Sequence, residues 1–147
     1  MDMKLEVVVL PVSDIDRAKD FYLSAGFRED IDYCFGDDFR VVQFTPPGSG
    51  TSIVFGTGIT NARSGSVEGL LLVVPDIEAA STALIRRGVE VTDVFHDIGK
   101  VFYHRSPAYK IPGVDPDRRP YGSFARFYDP DGNEWVLQEV SQRVPGR

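Results

Sequence analysis

The chain has 147 residues, 42% of them apolar and 26% charged, which is the composition of a globular protein of one domain or two small packed halves and not of a disordered one. A net charge of −6 and a pI near 4.8 weigh against nucleic acid as a partner, because phosphate binding needs clustered Lys and Arg. No apolar run approaches the roughly 18 residues of a membrane span, the N-terminus lacks the basic and apolar blocks of a signal peptide, and a lone cysteine, Cys34, rules out an internal disulfide, so a cytoplasmic protein is expected.

In chain order, the first element is an apolar strand, EVVVLPV, running into Ser13-Asp14, where side-chain oxygens can cap a helix. Ile15, Ala18, Phe21, Tyr22 and Ala25 then recur at helical spacing, and Gly26 stands where a left-handed helix terminus favours glycine. Strands follow around RVVQFT and TSIVFG, separated by the turn Pro46-Pro47-Gly48. The pattern then returns. LLLVV leads to Pro75-Asp76, a helix carrying Ile77, Ala80 and Leu84, and Gly88; FARFY, the turn Asp129-Pro130-Asp131-Gly132 and EWVLQEV close the second copy. The unit reads β-α-β-β-β, present twice.

VSDIDRAKDFY, VPDIEAA and above all FYDPDGNEWVLQE resemble the vicinal oxygen chelate superfamily, which includes glyoxalase I, extradiol dioxygenases, fosfomycin-resistance enzymes and bleomycin-binding proteins. The resemblance spans about residues 4 to 141. It implies a single α+β domain over 1–147, built of two tandem βαβββ units at about 4–60 and 66–141, with curled mixed sheets around a shared cavity and a homodimeric assembly. Metal-dependent members take four ligands from the first and last strands of each unit. The aligned positions here are Val7, Val54, Gly69 and Val136, none of which carries a donor a divalent metal can use. A metal-free protein without cofactor is therefore expected. Glu6 and Glu68 immediately precede two of these positions, but a one-residue shift along a regular strand turns a side chain to the opposite face.

Strand alternation nominates the lining of the cavity. With Val136 inward, Glu134 and Gln138 share its face while Trp135 and Leu137 turn toward a helix; Arg126 faces inward on the preceding strand, and Gln43 holds the matching place in the first unit. Val7, Val9, Val54, Leu71 and Val73 add an apolar lining beside Gly69. Such a surface suits a flat apolar or aromatic ligand, although a dry core has a similar composition. The long segment from His96 to Ser123 reads as a lid or pocket wall, or in part as a solvated turn at PGVDPDRRP. It supplies Tyr103 and Tyr121 as ligand contacts, Arg105, Arg118 and Arg119 as oxyanion holders, and His104 as an acid or base. Arg126, His104 and Tyr33 are the catalytic candidates.

Two functions fit these residues and the resemblance. One is a cofactor-independent tailoring enzyme, of lyase, isomerase or cyclase type, that dehydrates, isomerises or cyclises an aromatic or polyketide-like molecule. The other is a non-catalytic drug-binding protein of the bleomycin-resistance kind. A metal-dependent glyoxalase-like lyase is a third reading, which requires Glu6 and Glu68 to turn inward.

Overall fold

The aspartates that follow the two apolar strands act as helix caps in the computed structural model, which describes residues 1–145. Asp14 accepts from the Arg17 amide and Asp76 from the Ala79 amide, each at 3.0 Å, so each extended cap residue satisfies one otherwise unpaired donor. The helices are α1, Ile15–Ser24, and α2, Ile77–Arg86. Both stop in the same way. Gly26 and Gly88 take φ of 91° and 88°, and the amides of Phe27 and Val89 reach back to the carbonyls of Tyr22 and Leu84.

The described chain divides into two compact units, residues 1–68 with 128–134, and residues 69–127 with 135–145. In the first unit the strands β1 (Val7–Val9), β2 (Arg28–Cys34), β3 (Arg40–Thr45) and β4 (Ser52–Thr57) form a sheet in the order β1-β4-β3-β2. β1 runs parallel to β4 and the remaining pairs are antiparallel. One face is the core: Tyr22 from α1 packs against Phe27, Phe44 and Phe55 at centroid distances of 5.3, 6.2 and 5.7 Å, with Leu10 and Val42 fully buried. Gly56 lets β3 and β4 approach, since a Cβ there would lie 1.8 Å from the Arg40 carbonyl oxygen.

The turn of the FYDPDGNE motif is part of this first unit. Asp129 accepts from Tyr22 Oη at 2.9 Å and from Asn133 Nδ2 at 2.8 Å, and Asn133 also donates to the Pro11 carbonyl at 3.0 Å. Asp131 accepts from the amide and hydroxyl of Ser13. The polar residues that carry the family resemblance thus hold a turn against the start of α1.

In the second unit β5 (Leu70–Val74), β6 (Phe95–Asp97), β7 (Lys110–Pro112), β8 (Phe124–Tyr128) and β9 (Glu134–Glu139) form a sheet in the order β5-β9-β8-β6-β7. β5 is parallel to β9, and β6 is antiparallel to β7 and β8. The repeat holds at the level of register: Val9 sits opposite Val54, and Leu71 opposite Val136. Ile77, Val89, Ala125 and Leu137 fill the helix side, where Phe127 and Trp135 stack at 6.0 Å. Two tandem βαβββ units make this an α+β fold, β7 is an added edge strand, and neither sheet closes on itself. Among the described residues no helix is long and apolar enough to cross a membrane.

Candidate functional site

The alternation that buries one face of the first sheet exposes the other. Val7 and Val9 stand about a third exposed, Val54 is buried between Val9 and Gln43 on the neighbouring strands, and Tyr33 is half exposed opposite Val41. A register shift between Glu29 and Ile31 inserts Asp30 as an extra residue, and its carboxylate meets the side chains of Gln43 and Thr45. Gln43 Nε2 donates to it at 3.4 Å, the Thr45 hydroxyl donates to it, and Arg28 Nε donates at 2.6 Å. The Thr45 hydroxyl foremost, then Arg28, hold the Asp30 carboxyl below the usual carboxylate range.

In the second unit Leu71, Tyr121 and Gln138 come together with Val73 and Val144 around a cavity of about 400 Å³. Leu71 and Val73 give it exposed aliphatic walls. Gln138 Nε2 donates to the Tyr121 carbonyl at 3.1 Å and so fixes a residue held at φ of 70°, a left-handed conformation unusual for tyrosine. The Tyr121 hydroxyl is buried and has no hydrogen-bond partner among the described residues.

His104 and Arg126 line a smaller cavity of about 100 Å³ with Phe95, Asp97, Arg105 and Lys110. His104 Nδ1 lies 3.1 Å from both carboxylate oxygens of Asp97, and the His104 ring stacks on Tyr109 at 3.9 Å. Burial of Asp97 favours its neutral form, but the amides of His104 and Gly99 and the imidazole outweigh it, and the carboxyl is held below its ordinary value. An imidazole fixed through Nδ1 keeps Nε2 for proton transfer. The Arg126 guanidinium carbon stands 4.5 Å from the Phe95 ring centre and 5.1 Å from that of Tyr103, which itself packs on Phe124 at 5.0 Å.

The other candidates are placed differently. Val136 is fully buried in the cluster of Phe95 and Phe124. Glu134 is buried, 3.4 Å from the Tyr128 hydroxyl. Gly69 takes φ of 80°, and a Cβ there would meet the Tyr103 hydroxyl at 3.6 Å. Tyr33 belongs to the first unit and lines neither cavity. Arg118 and Arg119, read from the sequence as oxyanion holders, are committed to carboxylates: Arg118 grips Glu139 at 3.0 and 2.8 Å, and Arg119 grips Asp115 twice at 2.6 Å. That pairing holds the Asp115 carboxyl at about 2.

Sequence reading missed Asp30, Asp97 and Lys110. Asp97 carried a faint signal, a carboxylate seven residues before the only other histidine besides His96, but a loop separates them in sequence and the contact arises from the fold.

The family's metal does not fit the residues present. Val7, Val54, Gly69 and Val136 offer no donor side chain, and the described residues contain no grouping of three or more His, Cys, Asp or Glu arranged to hold an ion.

The sequence model described as "Glyoxalase/Bleomycin resistance protein/Dioxygenase superfamily" matches residues 4–137. No curated protein matches the chain. Among solved structures the chain is similar to TnmS3, an antibiotic binding protein from Streptomyces sp. CB03234, with 32% identity over 95% of this chain and 98% of that one and a TM-score of 0.69. A glyoxalase/bleomycin resistance protein from the same Streptomyces also has 32% identity, over 92% of this chain and 100% of that one, with a TM-score of 0.66. A superfamily member from Sphaerobacter thermophilus DSM 20745 has 28% identity, over 94% and 98% of the two chains, with a TM-score of 0.65. With its two βαβββ units and the matched stretch of sequence, the chain belongs to the glyoxalase/bleomycin resistance protein/dioxygenase superfamily.

Proposed function

We propose that this protein binds a flat, mostly apolar small molecule in the cavity of Leu71, Val73, Tyr121, Gln138 and Val144, and releases it unchanged. The cavity's volume of about 400 Å³ carries this reading, since it falls in the range of small-molecule sites and combines aliphatic walls with two placed polar groups. Tyr121 Oη is the donor for a ligand carbonyl or hydroxyl, which would supply the partner that the hydroxyl lacks. Likeness to an antibiotic binding protein supports sequestration of a compound of that general kind. A cytoplasmic homodimer is part of the proposal, and sedimentation of the purified protein tests the assembly.

A specific contact favours a second reading, catalysis without a cofactor. Asp97 orients His104 for acid or base work, and Arg126 is the group to stabilise developing negative charge during dehydration, isomerisation or ring closure. One experiment separates the two: aromatic natural products are titrated against the protein by calorimetry, and the recovered ligand is analysed by mass spectrometry. Sequestration gives saturation near one ligand per site with the ligand intact, and Leu71→Asp weakens it about tenfold or more. Consumption of many equivalents, abolished by His104→Ala or Arg126→Ala, overturns the binding reading in favour of the enzyme.

A further inference from the structure

We infer that Gln138 selects the ligand of the apolar cavity: an uncharged molecule with a hydroxyl or N–H donor that Gln138 Oε1 accepts, an inference that rests on the binding reading above. All five residues that line the cavity, Leu71, Val73, Tyr121, Gln138 and Val144, are uncharged, so a carboxylate or ammonium group would enter without a counter-ion. Three of them are aliphatic. Polar recognition therefore falls to Tyr121 and Gln138, and the two side chains differ in what they offer.

The fold fixes which half of the Gln138 amide is left for a ligand. Nε2 donates to the Tyr121 carbonyl at 3.1 Å, and turning the amide over would set two acceptor oxygens against each other. Tyr121 is itself held in place, since its amide donates to the Glu139 carbonyl at 2.8 Å while its backbone keeps φ of 70°. The amide nitrogen is thus spent within the protein. Oε1 accepts from no described residue, and it is the amide's remaining group in a side chain only 6% exposed. A ligand with acceptors alone would set an oxygen against this oxygen and exclude the water that could separate them. A ligand with a donor satisfies it, while the Tyr121 hydroxyl, buried without a described partner, donates to a ligand acceptor. Sites built to pair a ligand's polar group discriminate strongly against the analogue that lacks it.

The test compares three flat bicyclic probes by calorimetry. Coumarin carries acceptors only; carbostyril is the lactam in which an N–H replaces the coumarin ring oxygen; umbelliferone is coumarin with a hydroxyl across the ring system, measured with the phenol un-ionised. At least one of the two donor-bearing probes is expected to bind about tenfold or more tighter than coumarin, and which of them does so reports how far the donor lies from the carbonyl. Gln138→Leu brings the three dissociation constants together; Gln138→Met, closer in length, serves if Gln138→Leu fails to fold. Tyr121→Phe, which leaves the Gln138 amide and its backbone partner in place, weakens all three probes and preserves their ratio. Leu71→Asp weakens all three as well, which places them in this cavity. Equal affinities in the parent chain, or a donor advantage that survives loss of Gln138, overturn the inference and leave the binding reading standing. No binding by any probe, or binding that Leu71→Asp does not weaken, overturns both.

Discussion

Asp129 is nearly inaccessible to solvent, yet it accepts from Tyr22 Oη, from Asn133 Nδ2 and from the amides of Asp131 and Asn133. Removing a buried acceptor costs more than the bonds are worth, because the donors left behind are neither paired nor solvated. Asp129→Ala is expected to lower unfolding stability by about 3 kcal/mol, read as a shift in urea midpoint at constant slope. Tyr121 presents the opposite case. Its hydroxyl is buried without a partner, so Tyr121→Phe removes a desolvated polar group and should raise the melting temperature by about 2–4 °C in the absence of ligand. The same substitution weakens binding to the apolar cavity. Stability gained together with affinity lost marks the hydroxyl as a ligand contact, whereas loss of both would assign it a structural role.

Elements that depend on neighbours in sequence were legible, and those made by distant contacts were not. Asp14 and Asp76 cap their helices because a cap needs only its own oxygen and an amide three residues on. Asp14→Ala and Asp76→Ala should each lose about 1 kcal/mol in chemical unfolding, and similar values would show that the repeat extends to energetics. Strand alternation likewise assigned Trp135 and Leu137 to the helix side, where both are buried. By contrast, the extra residue Asp30 leaves no mark in the alternation, since a bulge is a property of two paired strands. The edge pair β6 and β7 is equally silent: each strand has three residues, and Pro112 lowers the strand signal of KIP. The His104–Asp97 pair and the Arg126 site depend on that edge, which is why the chemistry of the second unit was less legible than its fold.

At the scale of the whole molecule, four aspartate carboxyls shift in one direction. Asp30, Asp32, Asp97 and Asp115 all lie below the ordinary aspartate value of 3.8, Asp32 through Arg40 and then Lys19, and Asp115 chiefly through Arg119. A depressed folded-state value means that the unfolded chain takes up protons first as pH falls. The stability due to these groups is therefore fully present above about pH 5 and is lost progressively as pH drops through the depressed values. Asp115 alone spans 3.8 to about 2, and allowing for the partly exposed Arg119 it contributes about 1–2 kcal/mol. The melting temperature should stay level from about pH 8 to 5 and fall below about pH 4. Asp115→Asn should melt lower than the parent chain at neutral pH and converge toward it near pH 2, because the parent has by then begun to lose the same charge. A constant gap between the two curves at every pH would instead trace the loss to packing around Asp115 and not to its ionised pair with Arg119.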